Sequence, residues 1–385
     1  MEHPPLHRQL QKQLRQWVNP KDQRHLQGYA EAIAAILQSS SACLGKWLPY
    51  LGHRNCQARA HMERLSYLVH NPHISAERFY NRLLQQALQA FEGSSVTLTL
   101  DTSMLWDQFC LVEVCLVWGG RSFTLAQTVL EHASATVAFE DYQPVLLAAK
   151  NVLPPGSQVT LLADRGFEHA ELLRLLSRIG WDWAIRVKSD LNVTLATGLA
   201  CSVGHLFPPV HQAYLLRTVT VLENIQCHLA TAHVELAKEP WAVLSSLPPS
   251  VKTFALYGQR FGGIEPHFKD YKSAAFHVLN TGLRDATALT CLFMLLDSAY
   301  LIALIVGMSL VQRGLRSRLD WHGQRGLSFL QLGLREIARL SYERLCLPTL
   351  GALPSKSPPK AYASQRKRRA LEQRIEFNKV IRFSW

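Results

Sequence analysis

Two aspartates stand where apolar, β-rich runs stop. Residues 96–100 (VTLTL) end on Asp101, and residues 158–163 (QVTLLA) end on Asp164. Strand ends of an α/β sheet are where ligand sites collect. A single aspartate there can simply cap a turn. Two of them, on strands that become neighbours, make an oxygen-rich site for a hard cation such as Mg²⁺, and two ions about 4 Å apart can serve phosphoryl transfer. A third carboxylate lies in YGQRFGGIEPHFKDYKS, where Tyr257, Arg260, Glu265 and Lys272 are the residues of interest. Glu265 and Lys272 are seven apart, which predicts one helical face with the carboxylate on metal and the ammonium on a phosphate oxygen. Arg260 can fork onto phosphate. Asp107, Glu113, Asp141, Glu168, Asp182, Asp190 and Asp270 lie nearby and read as structural or surface acids. His267 and His277 read as packing or phosphate-adjacent residues.

The elements that must position these groups follow from hydrophobic period and punctuation. Residues 1–92 read as helical, interrupted at Ser39 to Ser41 and at Asn71-Pro72, with Gly93 closing the region. From residue 96 the period changes to strand. FCLVEVCLVW and RSFTLAQTVL flank Gly119-Gly120, a hairpin signal. A helix over 139–152, the strand before Asp164, a helix closed by Gly180 and a strand WDWAIRVK come next. Residues 190–250 read as a β-rich insertion, and helices resume at Val251 and run to about Leu347. The organisation expected is a helical, DNA-binding region over 1–93, an α/β catalytic domain over 94–350 and a basic tail over 351–385, mobile or a late-ordering helix.

Three antiparallel strands, helix, strand, helix, strand is the order of the ribonuclease-H-like fold, a mixed sheet. The segment from Tyr257 to Lys272 resembles the Tyr-Arg-Glu-Lys signature of a large group of bacterial insertion-sequence transposases of the DDE type. LTLDTS at 98–103 and ADRGF at 163–167 resemble the first and second aspartate motifs of that group. The likeness covers 96 to about 280. One departure is that four residues separate Arg260 from Glu265, where the group's pattern has three. The resemblance implies a ribonuclease-H-like catalytic domain with a β-rich insertion before the last acid. It implies metal-dependent cleavage of the strand at each element end and attack of the freed 3′-hydroxyl on a phosphodiester. Asp101, Asp164 and Glu265 would be the catalytic metal ligands for two Mg²⁺ ions, with Mn²⁺ as a substitute. Tyr257, Arg260 and Lys272 would contact DNA, and Trp241 would stack an extruded base. The partners implied are double-stranded DNA, both terminal inverted repeats and target, and a second copy of the chain on DNA. The alternatives are a nuclease or resolvase on the same scaffold and a non-catalytic DNA-binding regulator.

Composition agrees with that reading without selecting it. The chain has 385 residues, 48% hydrophobic, with a net charge of +12, which suits a polyanionic partner. Lys12, Arg15, Arg24, Arg54, Arg59, Arg64 and Arg78 decorate the N-terminal helices, and Arg366 to Arg369 form a basic run. The eight cysteines lack metal-finger spacing and read as reduced, mostly buried thiols. The N-terminus has no apolar signal core, so a cytoplasmic, nucleoid-associated protein is expected. Residues 289–311 are apolar over a membrane-spanning length, yet Asp297 interrupts them. The expectation is a buried core helix and no membrane partner.

Overall fold

A computed structural model describes residues 4–52, 55–234, 239–322, 326–356 and 377–383. Four helices come first: α1 (Leu6–Leu14), α2 (Gln23–Ser39), α3 (Ala58–His70) and α4 (Tyr80–Ala87). The predicted breaks hold. Ser40 takes a left-handed conformation (φ 49°) after α2, and α3 stops at His70, ahead of Pro72. The sheet then opens with β1 (Ser95–Leu105), β2 (Phe109–Trp118) and β3 (Arg121–Glu131). Gly119 and Gly120, at φ 62° and 79°, supply the positive-φ pair that a tight β2–β3 turn requires. Next come α5 (Phe139–Val152), β4 (Gln158–Ala163), α6 (Ala170–Arg178) and β5 (Asp182–Arg186).

β1 pairs antiparallel with β2 and parallel with β4, and β4 pairs parallel with β5. The resulting order β3-β2-β1-β4-β5 is the ribonuclease-H-like core that the sequence predicted. The insertion supplies β6 (Asn192–Thr194), β7 (Ala200–Ser202), β8 (Gln212–Val221), β9 (Ile225–Ala232) and β10 (Trp241–Ser245). It extends the same sheet, because β10 pairs antiparallel with β5 and with β9.

Three helices follow, α7 (Val251–Lys269), α8 (Ala286–Gln312) and α9 (Phe329–Tyr342), and then the last strand, β11 (Lys379–Phe383). β11 pairs parallel with β8, so this part of the predicted basic tail is a sheet strand. Residues 379–383 (KVIRF) carry Val380, Ile381 and Phe383, side chain types that favour a strand, and β8 offers them an edge to pair with. Arg54 and the basic run Arg366 to Arg369 lie outside the described residues.

α8 is the axis of the core. It is apolar on every side because it is enclosed on every side, with 94% of its most apolar window buried, as predicted for a core helix. Against α9 the backbones nearly touch: a Cβ on Gly307 would lie 1.9 Å from the Phe329 carbonyl, and one on Gly333 1.7 Å from that of Ala303. Only glycine fits such a crossing. The N-terminal helices share this core, and the buried Tyr29 hydroxyl is 2.6 Å from Ser298 Oγ on α8. They are one body with the sheet and not a detached module. Arg24 pairs with Asp22, Arg59 with Glu63 and Arg64 with the buried Glu31, so three of the seven predicted basic residues are engaged in ion pairs within the chain. Lys12 and Arg15 remain exposed.

Candidate active site

β-Strand alternation fixes what faces α7. Asp101 on β1 stands opposite Glu113 on β2, and Thr99 stands opposite Cys115. β1 and β4 run in register through Leu100–Ala163, so the next residues in step are Asp101 and Asp164. The β4–β5 register, ending at Ala163–Ile185, carries the same row on to Arg186. One line across four strands therefore reads Glu113, Asp101, Asp164, Arg186. It lies on the sheet face that α7 covers.

α7 begins cleanly. Pro248-Pro249 cannot continue a helix, and Ser250 caps it, its hydroxyl accepting from the Lys252 amide at 3.2 Å. The helix buries Phe254, Tyr257, Arg260, Gly263, Ile264 and His267, a stripe at three- and four-residue spacing. At the middle of that stripe one Arg260 Nη donates to Asp101 Oδ2 at 2.6 Å and reaches Asp164 Oδ2 at 3.4 Å. Arg260 and Asp101 are both buried, while the Asp164 side chain keeps 38% of its surface exposed. The cleft thus has a closed end at Asp101 and an open end at Asp164. Burial pushes Asp101 up to about 6; Arg260 opposes the rise and the Asp164 charge adds to it. Asp164 also caps the turn after β4, accepting from the Gly166 amide at 2.8 Å, which fixes its direction.

Tyr257 lies one turn before Arg260, fully buried, and burial pushes its hydroxyl up to about 12. Among the described residues that hydroxyl and the Arg260 Nε are buried with no hydrogen-bond partner. Trp241, the first residue of β10, is half-buried and packs edge-on against Tyr257, at 5.8 Å between ring centres, and against Phe261 at 5.6 Å. The two arginines beside it, Arg165 and Arg186, both reach Glu239. So the structure gathers five of the predicted site residues: Asp101, Asp164, Tyr257, Arg260 and Trp241.

It does not bring Glu265 or Lys272 to them. Glu265 is exposed, and at about 100° per residue it lies about 140° around α7 from Arg260. Ile264, about 40° from Arg260, occupies the facing position and is fully buried. Lys272 is past the end of α7, in a π turn spanning Asp270–Ala274, half-buried, and burial lowers its ammonium below the usual lysine range. The two aspartate carboxylates are hard oxygen donors suited to a divalent cation. In this arrangement they hold a guanidinium, and the third donor faces away.

Further along the same face is a second polar group that the sequence reading passed over as structural. Thr124 Oγ1 lies 3.3 Å from Glu113 Oε1, 3.2 Å from His267 Nε2 and 3.1 Å from the Tyr271 hydroxyl, and Tyr271 donates to Asp297. Burial holds Glu113 well above the usual carboxylate range, lifts Asp297 to about 7 and lowers His267 to about 3. Burial thus favours the neutral form of each of the three, and hydrogen bonds through Thr124 and Tyr271 join them. Glu113, Cys115 and His267 bring ligand atoms within 4.8 Å of one another, but all three are fully enclosed. Its signal was present in sequence as a polar residue in the middle of an apolar strand, FCLVEVCLVW. All eight cysteines are thiols, four of them buried.

A mixed sheet in ribonuclease-H-like order, with paired strand-end aspartates beneath α7, is an arrangement suited to phosphoryl transfer. Residues 115–302 match the family described as "Transposase DDE domain", a stretch that includes Asp164 and α7 and begins after Asp101. Over that stretch, just under half of its length, the chain carries a transposase DDE domain, the kind of domain that cleaves and joins DNA. No curated protein matches it. A solved structure of the piggyBac transposase in a synaptic complex with hairpin DNA is similar over 91% of this chain and 77% of its own, at 12% identity and a TM-score of 0.44.

Proposed function

We propose that this transposase acts at the inverted repeats that end an insertion sequence, cutting there and joining the freed 3′-hydroxyl to target DNA. The observation that carries the reading is the Asp101–Arg260–Asp164 contact: two carboxylates on adjacent strand ends already share one positive charge. A hard divalent cation held by Asp101 and Asp164, Mg²⁺ or Mn²⁺, would activate the attacking oxygen and steady the leaving one; two ions need the third carboxylate, Glu265. Asp101, closed to water, orients its ligand oxygen through the Thr102 amide, which donates to Oδ1 at 2.9 Å. Asp164 faces the open side, where the scissile phosphate arrives. Arg260, once released from the carboxylates, is placed to meet a phosphate oxygen with both guanidinium edges. Tyr257 can donate its unpartnered hydroxyl beside it, and Lys272 adds charge at the helix end. Trp241 offers a ring on the rim on which an unpaired base can stack. Bringing two ends together requires two copies on DNA, in a cytoplasmic, nucleoid-associated assembly.

The test is cleavage of a plasmid carrying the gene's own flanks by purified protein, with Mg²⁺, with EDTA, and with Asp164→Asn. Metal-dependent breaks at both ends, absent in the variant, support the reading, and joined products separate a transposase from a resolvase. End binding with no break in Mg²⁺ or Mn²⁺ would sink it and favour the regulator.

A further inference from the structure

Helix α7 keeps its buried stripe in phase to its end, and its softest point lies between the two groups that would need to act together. Gly262 and Gly263 are poor helix formers. Pro266 has no amide hydrogen, so the Gly262 carbonyl loses its intrahelical donor. A few residues later the backbone widens to a π turn over Asp270–Ala274. A π turn is one inserted residue, and such turns cluster at functional sites.

We propose that α7 has two registers, and that a divalent cation at Asp101 and Asp164 selects the second. This rests on the Asp-pair reading above. In the second register the inserted residue sits at Gly262–Gly263 instead of Asp270–Ala274. Each residue from 264 to 269 then takes the place of the one before it, a rotation of about 100°. Glu265 enters the position of Ile264, next to Arg260 and facing the aspartates. That position suits a polar group: Ile264 is fully buried yet packs into neither apolar cluster of the core. Phe268, half-buried now, replaces His267, whose Nδ1 is buried without a partner and whose Nε2 gives up its contact with Thr124. His267 moves to the half-exposed place of Pro266.

Two effects hold the first register when no cation is bound. Three carboxylates in one cleft repel each other, and Arg260 satisfies two of them as it stands. Ile264 must also move to the place of Gly263, where a Cβ already lies 3.1 Å from Val117 Cγ2, so Val117 has to turn aside. A cation removes the first obstacle, and its differential affinity for the three-carboxylate register supplies the shift.

The test uses the full chain and Mn²⁺ alone, in wild type, in a chain lacking Gly262, and in Gly262→Ala. Two readouts serve: the Mn²⁺ dissociation constant by titration, and acylation of His267 by diethyl pyrocarbonate read by mass spectrometry. Deleting Gly262 removes the surplus residue and should fix Glu265 on the aspartate face. Mn²⁺ then binds roughly tenfold tighter or more, since no equilibrium is spent on the shift. Glu265→Gln in that background abolishes the gain, and His267 reacts without metal. In wild type His267 reacts only when Mn²⁺ is present. Gly262→Ala guards against a deletion that does not fold, because a Cβ there meets nothing within 4 Å. It favours the regular helix and should weaken Mn²⁺ binding about fivefold, the helix preference of Ala over Gly. If affinity and His267 reactivity are unchanged in either folded variant, while Asp164→Asn still abolishes binding, the two-register helix is refuted and the aspartate site stands. If Asp164→Asn leaves Mn²⁺ binding intact, the aspartate site itself is wrong and the proposal falls with it.

Discussion

Asp101 and Glu113 are cross-strand neighbours on one face of one sheet, under one helix, yet the two carboxylates have opposite surroundings. Asp101 meets a guanidinium at 2.6 Å and a cleft open at its Asp164 side. Glu113 meets a hydroxyl, a thiol and a neutral imidazole, all enclosed. A buried charge is costly unless paired, so the first site carries charge and the second carries protons. The difference is made by α7, which contributes Arg260 to one site and His267 to the other, seven residues along the same stripe. Chemistry that needs a cation belongs at the first site. The second contributes a dry polar anchor that joins β2, β3 and α8 to the turn after α7 around Thr124, Tyr271 and Asp297.

The largest effect should come from breaking the charged member. Asp101→Asn removes the proposed closed-end ligand and leaves Arg260, 6% exposed, with Asp164 alone. DNA cleavage is expected to fall by about a thousandfold or more, the scale of losing a ligand to the activating metal. Stability should also drop, by about 3 kcal/mol, because a buried cation has lost its close partner. Asp164→Asn should cost a similar factor in cleavage with much less stability, its side chain being 38% exposed. Cleavage assays paired with thermal melts of both variants check this; equal destabilisation would erase the distinction between closed and open ends.

A smaller effect is expected at the rim. Trp241 borders the charged cleft, half-buried, whereas the ring of Tyr271 is sealed inside the protonated one. Trp241→Ala should weaken binding of an end carrying an unpaired base by about 1–3 kcal/mol, the range for one stacked base. Fully paired DNA should bind nearly as before. Fluorescence titration with the two DNAs decides it, and equal losses on both would make Trp241 a packing residue only.

How much of this was legible beforehand depends on which contacts are local. Strand ends, hairpin and helix stops are written in short-range chemistry: β-branched runs, Gly119-Gly120, Ser250, Gly180. So Asp101 and Asp164 were found by position alone. β11 was missed because its partner β8 is more than 160 residues away in sequence, and a five-residue run next to a basic stretch looks like tail. Glu113 was passed over because an acid inside a strand reads as an exposed face until the register puts it under α7. Glu265 was expected beside the aspartates on spacing, and spacing on a helix is reliable only while the helix stays in phase. The Gly-Gly pair, Pro266 and the π turn at Asp270 mark where phase is not assured.

The smallest effect sharpens the contrast through pH. The folded protein keeps Glu113 protonated well above its ordinary range, chiefly because of burial. The unfolded chain gives up that proton near 4.5. Above that pH the unfolded state binds fewer protons than the folded one, so this residue's contribution makes stability fall as pH rises. Glu113→Gln keeps the shape and the neutral charge and has no proton to lose. Its stability relative to wild type should therefore rise between pH 5 and pH 8, by up to roughly 1 kcal/mol per pH unit over the part of that range where folded Glu113 stays protonated. Near pH 5 the two proteins should melt almost together, and cleavage should be retained. Denaturant titrations at several pH values measure the slope difference. A stability difference between Glu113→Gln and wild type that stays flat from pH 5 to pH 8 would mean that Glu113 is ionised in its enclosure, and the division into one charged and one protonated carboxylate would then be wrong.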